Sequence, residues 1–281
     1  MLLLCGSVAA SGDEDEPLII TVPAVVEGKA PLHSYIEQVL RLSLIRSAET
    51  QNETFIIKRD TPATQERQLR ELDRDAINVT WSVLTQKREE RYLPIPFPLL
   101  GGLFSYRVLV VNESNHEIGP DTSVTTLKKL TAIQGYDWPD KAIMEANGYK
   151  VKGAEYQLAF TLLRTGYVDY FPRAAVEAGS ELALHEDLKV AEGPALYYPN
   201  NLVFFVSKKN KQLHERLYRG LQILQDSGEL IALQKEHGLF QSACALLSGR
   251  QVISLHVQPS PLLSALQAHG FSLNCADILA N

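Results

Sequence analysis

Apolar positions along the chain recur with two periods, and the alternation between them sets the expected architecture. Residues 17–23 (PLIITVP) read as a compact apolar strand. Residues 32–47 follow, with Leu32, Tyr35, Ile36, Val39, Leu40 and Leu44 at helical spacing. A strand at 54–58 and a polar helix at 64–73, rich in Arg and Glu, come next. Val, Thr and Trp then mark 77–83 as a strand. Thr85 reads as the N-cap of a short helix that carries Lys87 and Arg88 in its first turn. A Pro-punctuated segment with Pro94, Pro96 and Pro98 leads into the apolar strand 106–111. This β-α-β-α-β alternation predicts an open, mostly parallel sheet flanked by helices. Ligands on such sheets sit beyond the carboxyl ends of strands, where residues 82–88 lie.

A second alternating unit begins after Val111. Residues 123–130 read as a helix, and 131–134 as a short strand running into Gly135-Tyr136-Asp137-Trp138. Pro139 suits the first turn of a helix that ends near Asn147-Gly148, with the glycine as C-cap. A strand at 149–151, a helix at 156–164, and a turn and strand at 166–171 complete the unit. The chain returns through 196–201 into 202–206, whose unbroken apolar run (LVFFV) predicts a fully buried strand. Residues 210–226 and 229–237 are amphipathic helices. Connections near 110–112 and 198–202 thus join two units. The expected division is a discontinuous first lobe (17–110 plus 201–240), an inserted second lobe (111–200) and a tail (241–281).

Composition narrows the function classes. With 281 residues, 45% hydrophobic and 21% charged, the chain can bury a core for two lobes of an ordinary globular protein. Its net charge of -6 gives no basic face for nucleic acid. Residues 1–10 (MLLLCGSVAA) read as the tail of a secretory signal, with small residues at the cleavage positions after Ala9 or Ala10. An acidic linker (SGDEDE) follows at 11–16. Leu4 before Cys5 argues against a lipoprotein. No later stretch approaches the roughly 18 apolar residues of a membrane span, so an exported, soluble, periplasmic protein is expected. There is no G-x-S-x-G elbow, P-loop or G-x-G-x-x-G. The histidines, from His33 to His269, are scattered without metal-ligand spacing. Neither catalysis nor a cofactor or metal is expected.

Cations in a first helical turn are poorly placed unless something anionic lies opposite. Thr85, Lys87 and Arg88 at a helix start therefore make a candidate anion site. The alternative, that Arg88 and Arg91 pair with Glu89 and Glu90 on a solvated face, stays open. The T-x-x-R from Thr85 to Arg88 sits between a strand and a Pro-punctuated segment. Further along, Leu163, Gly166 and Asp169 form L-x-x-G-x-x-D. A return motif runs from Phe204 to Asn210, followed by Leu213, Gly220-Leu221 and Asp226-Ser227-Gly228. In this order, over about 17–240, they resemble the bacterial extracellular solute-binding proteins of family 3, the type II periplasmic binding proteins. The resemblance implies an α/β, two-lobed fold that bends at a hinge to close around a small polar ligand. It also implies a monomer that delivers the ligand to an inner-membrane ABC transporter or a sensor.

By the same resemblance, Arg88 grips a ligand carboxylate, with Thr85, Trp81 and Ser82 beside it. Departures bear on the ligand. Gly135-Tyr136-Asp137-Trp138 stands where the family has a Ser or Thr that helps to hold the carboxylate. Ala174 stands where an acid normally takes the ligand ammonium, next to Arg173 and with Glu177 one turn on. A zwitterionic amino acid is therefore not expected. An anion held between Arg88 and Arg173 is, with Trp81, Tyr136 and Trp138 stacking on its apolar part. Alternatively, Trp81 and Trp138 are core residues and Arg173 is a surface ion-pair partner. Asp169 is read as a turn or interlobe partner. Two rival functions remain: a dehydratase-like enzyme using Asp137 and Glu177, and an interaction domain that has lost ligand binding. In the tail, Ser260, Pro261 and Gly270 suit an N-cap, a first helical position and a C-cap. Without Cys5, Cys244 and Cys275 are an even pair in an oxidising compartment, either bridged or free.

Overall fold

The computed structural model describes residues 17–50, 53–258, 260–268 and 273–279. The signal-like stretch, the acidic linker and Gly270 lie outside the described residues. The chain first runs through β1 (Leu18–Val22), α1 (Ala30–Arg46), β2 (Phe55–Arg59), α2 (Gln65–Asp73), β3 (Thr80–Val83), α3 (Gln86–Arg91) and β4 (Leu93–Pro94). It continues with β5 (Tyr106–Asn112), α4 (Val124–Lys129), β6 (Thr131–Gly135), α5 (Pro139–Ala146), β7 (Lys150–Ala154), α6 (Tyr156–Arg164), β8 (Phe171–Ala174) and α7 (Ala175–Leu182). Then come β9 (Leu188–Val190), β10 (Ala195–Tyr197), β11 (Leu202–Val206), α8 (Lys211–Asp226), α9 (Glu229–Glu236) and α10 (Gly238–Leu247). The tail adds β12 (Val252–Ser254), α11 (Pro261–Ala268) and α12 (Cys275–Leu279).

The strongest apolar stripe makes the firmest packing. In α1, Pro31 lies in the first turn, and Tyr35, Ile36, Val39, Leu40 and Leu44 are fully buried. That face packs on α8, whose own Leu213, Leu217, Leu221 and Leu224 are buried. The two helices approach closely because position 220 is glycine. A Cβ there would lie 2.1 Å from the Ser43 carbonyl oxygen.

The sheets are mixed, which corrects the mostly parallel expectation. β1 and β2 are parallel, as are β6 and β7, and β10 and β12. β11 runs antiparallel between β3 and β4, and β5 runs antiparallel to β8, β9 and β10. The reversed strands are the ones that carry the chain from one unit to the other. They enter a sheet without a crossover helix, so they pair antiparallel.

Buried side chains change core along these crossings. On β5, Val108 belongs to the core around α1 and α8, whereas Leu109 belongs to the core around α5 and β10. On the return, Tyr198 belongs to the second core and Leu202 to the first. One segment departs from the expected division. Ala174, Ala175, Val176 and Ala178 join the first core, although 111–200 reads as the second lobe. Asp169 plays a structural part within the second unit, its carboxylate accepting the N–H of Thr131, at the start of β6, at 2.6 Å.

The tail is ordered by packing and by a covalent link. Cys244 and Cys275 form a disulfide with α-carbons 5.3 Å apart, so of the two sequence readings the bridge holds. The Ser260 hydroxyl accepts the Leu263 N–H at 3.1 Å, capping α11, which opens on Pro261.

Candidate functional site

A cavity of about 420 Å³ separates the lobes. From the first lobe it is lined by the loop after β1 through Lys29, by His33 on α1, and by the start of α2 with Gln65 and Gln68. Trp81, Phe104 and Arg107 also face it from that side. The second lobe contributes residues 135–138 with Asp140, the start of α6 with Tyr156, and Arg173 and Glu177.

The walls are built from buried charges that neutralise one another. Arg107 leaves β5 and meets Asp140, in the first turn of α5, with Nη2 2.8 Å from Oδ1. The Tyr198 hydroxyl donates to the same carboxylate at 2.6 Å, and the Arg107 guanidinium also donates to the Phe104 carbonyl. Burial pushes the Asp140 carboxyl up, but Arg107 and Tyr198 overcome this and hold it below the usual carboxylate range. Arg173 forms a second cluster. It donates through Nε and Nη2 to Glu181 at 2.7 and 2.6 Å, and through Nη2 to Glu177 at 2.8 Å. Tyr156 donates to Glu181 at 2.8 Å. Isolated, these buried ions would be very costly; paired, they form a rigid wall.

Further contacts join residues on opposite sides of the cavity. The Lys29 ammonium lies 2.9 Å from Glu177 Oε1. It also stands 5.0 Å from the ring centroid of Trp138 and 4.8 Å from that of Tyr156. Ser180 donates to the Gly28 carbonyl at 2.8 Å. Asp137 accepts the Glu66 N–H at 3.3 Å, placing a carboxylate at the amino end of α2, where the helix dipole favours it. Trp138 is fixed from beneath as well. A Cβ at Gly135 would lie 2.4 Å from its indole, and the Arg173 guanidinium stands 4.7 Å from its ring centroid.

No protein-family model and no curated protein matches the sequence. Solved structures do. ArgBP from T. maritima, a P235GK mutant, superposes with a TM-score of 0.57 at 16% identity, over 78% of this chain and 95% of that one. A periplasmic binding protein of Salmonella typhimurium with high arginine specificity gives 0.60 at 15% identity, over 78% and 99%. A histidine kinase sensor domain with similarity to periplasmic binding proteins gives 0.58 at 15%, over 80% and 97%. The chain has the type II periplasmic-binding-protein fold.

Within this periplasmic-binding-protein fold, the residues singled out in the sequence fall into two groups. Trp81, Tyr136, Asp137, Trp138 and Arg173 line the cleft. Trp81 and Trp138 are thus wall residues as well as packing residues; Trp81 meets His33 edge-on at 4.8 Å between centroids. Arg173 is buried, not a surface ion-pair partner.

Arg88, Thr85 and Ser82 do not line the cleft. Thr85 caps α3 by accepting the Arg88 N–H at 3.3 Å. The Arg88 guanidinium is buried behind the wall, where Nη1 donates to Ser82 Oγ at 2.8 Å and to the Val83 carbonyl at 3.0 Å. Its Nη2 donates to Gln65 and Glu66 at 2.8 and 2.9 Å. Arg88 therefore ties the end of β3 to the start of α2, and Glu66 neutralises it. The two arginines do not form the expected anion clamp, because each is already matched by a carboxylate of the chain. The open pairing of Arg91 also resolves, at 2.8 Å onto Asp73.

Sequence reasoning missed Lys29, Arg107, Asp140, Tyr156 and Glu181. Glu181 and Glu177 lie at i+8 and i+4 from Arg173, a spacing that carries a local signal. Nothing local joins Arg107 to Asp140, or Lys29 to Glu177. Among the described residues, no cluster of His, Cys, Asp and Glu is arranged to hold a metal ion. No described helix is long and apolar enough to cross a membrane.

Proposed function

We propose that the protein is an exported solute-binding protein whose lobes close around a small solute bearing a cationic group, for transport or sensing. The observation that carries this reading is the seat of Lys29. Glu177 of α7, with Trp138 and Tyr156 of the second lobe, surrounds its ammonium with a carboxylate and two aromatic faces. Such surroundings suit an organic cation. Charge around the cavity agrees, since Asp137, Asp140, Glu155 and Glu177 outnumber Lys29, Arg107 and Arg173. The cavity volume falls within the range of small-molecule sites, roughly 300–1,000 Å³. Two similar structures carry arginine binding in their names, and a third is a kinase sensor domain. A disulfide in the tail fits an oxidising compartment such as the periplasm.

The expected preference for an anion is dropped, because Arg88 and Arg173 have their counter-ions in place. A dehydratase-like reading loses support for a related reason. Burial pushes the Glu177 carboxyl up, but Lys29, Arg173 and Arg107 beside it overcome that and hold its pKa at about 2. It carries no proton to donate near neutral pH.

Isothermal calorimetry and thermal unfolding with arginine, lysine, spermidine, glutamate and succinate test the proposal. A bound solute raises the melting temperature by mass action. Arginine, lysine or spermidine should bind and raise it, and glutamate and succinate should not. Binding of the dicarboxylates alone, or of none of the five, would remove the reading.

A further inference from the structure

We propose that the chain beyond α10 is a strap across both lobes that limits how far the cleft opens. It starts in the first core, where Phe240, Ala243 and Cys244 of α10 are buried. It then crosses to the second lobe. β12 lies parallel beside β10, and the pairing is extended at both ends by Ala195 N–H to Gln251 and Leu255 N–H to Tyr197, each 2.8 Å. Ile253 and Leu255 belong to the second core. Asn147, the C-cap of α5, clasps the backbone of His256 on both sides. Its amide donates to the carbonyl and its oxygen accepts the N–H, each at 2.8 Å.

The strap afterwards returns to the first lobe. Leu263 and Leu266 of α11 pack with Leu72, Tyr92 and Phe205. The Leu273 N–H reaches the Gly101 carbonyl at 2.7 Å, and two residues later Cys275 is bonded to Cys244. One segment is thus fixed to the first lobe at both ends and stitched to the second lobe in its middle.

Position makes this stitching mechanical. β10 directly precedes the crossing at 198–202, and it pairs with Tyr106 and Arg107 on the other crossing, β5. β12 is therefore a further strand at the place where the lobes must bend. A strand held at one end can peel away as the second lobe swings out. With the bridge closing its far end, opening must instead break β12 from β10 and Asn147 from His256, or stop. This inference needs no particular solute and is independent of the charge of the ligand.

Hydrogen exchange and small-angle X-ray scattering on the solute-free full chain test it, comparing the wild type with Cys275→Ser and Asn147→Ala. In Cys275→Ser the Ala195 and Leu255 amides should exchange at least about tenfold faster, the signature of local opening. The radius of gyration should rise at the same time, while β1 and β2 keep their protection. Asn147→Ala, with the bridge intact, should shift both readouts in the same direction by less. The proposal stands only on that joint pattern. Unchanged exchange and radius in Cys275→Ser would overturn it. So would an equal loss of protection in β1 and β2, which would make the bridge a general staple of the fold.

Discussion

Substituting Lys29 by Met removes one charge from the cleft and leaves a stem that still covers Trp138 and Tyr156. The consequence is worked from Glu177, whose side chain is 5% exposed and which keeps Arg173 at 2.8 Å when Lys29 is gone. The ordinary value for this carboxyl is 4.5, and the folded protein holds it at about 2. That difference corresponds to about 3 kcal/mol of net preference for the charged form, what remains after Lys29, Arg173 and Arg107 have overcome the opposing effect of burial. Lys29→Met should then lower stability at pH 7 by about 1.5–3 kcal/mol, the scale of one charge-assisted hydrogen bond. Because the folded value lies below the unfolded one, this stabilisation is complete above pH 4.5. It is lost as pH falls toward 2. Urea unfolding at pH 7, 5 and 3 checks both statements: the gap between variant and wild type should be full at the first two and smaller at the third. Equal stability at pH 7, or a gap that persists undiminished at pH 3, would refute the assignment. Calorimetry adds a second readout. With its internal ammonium removed, Glu177 is free to take that of a solute, so arginine should bind the variant more tightly. Weaker binding would mean that Lys29 itself holds the ligand.

Arg88→Met should cost about 2–3 kcal/mol in urea unfolding, since it strands buried acceptors at Ser82 and Val83, yet leave arginine affinity unchanged in calorimetry. Gly220→Ala should destabilise by about 3 kcal/mol or more in the same assay, because its Cβ would meet the Ser43 backbone at 2.1 Å and force α1 from α8. Burial lowers the pKa of His33, His185 and His237 below 6.5. The unfolded chain therefore takes up protons first, and stability should fall as pH drops from 6.5; His33→Gln should flatten that slope in denaturation curves between pH 6.5 and 5.

What could be read from the sequence was set by how each element is buried. α1 and α8 bury one stripe and expose the rest, so the helical period is clean, and 202–206 reads as a strand because β11 is buried on both faces. α7 gave no such signal. Its buried positions include Glu177 and Glu181 beside small apolar residues, so a charge pattern stands where an apolar stripe would normally be. β12 is three residues long with two of them exposed, and only its partner β10 makes it a strand. Strand direction failed for a topological reason. Alternating helices and strands predict parallel pairing within a unit, but say nothing of the strands that pass between units.

The same distinction bears on the charge of the cleft. A single sequence shows Arg88 and Arg173 as two cations near strand ends, and free cations there imply an anionic guest. Burial reverses the inference. A guanidinium as enclosed as these must bring its own carboxylate, since an unpaired buried ion is far too costly. Those carboxylates are Glu66 for Arg88, and Glu177 with Glu181 for Arg173. At Arg173 an anionic solute would have to displace Glu177 or Glu181, leaving a buried carboxylate unmatched, whereas Glu66 beside Arg88 is 35% exposed. A cation meets no such obstacle at Glu177, where exchange with Lys29 replaces one ammonium by another and frees Lys29, already 24% exposed, to turn toward water. On the proposed reading, the ligand class follows less from which charges line the cleft than from which of them can change partner at little cost.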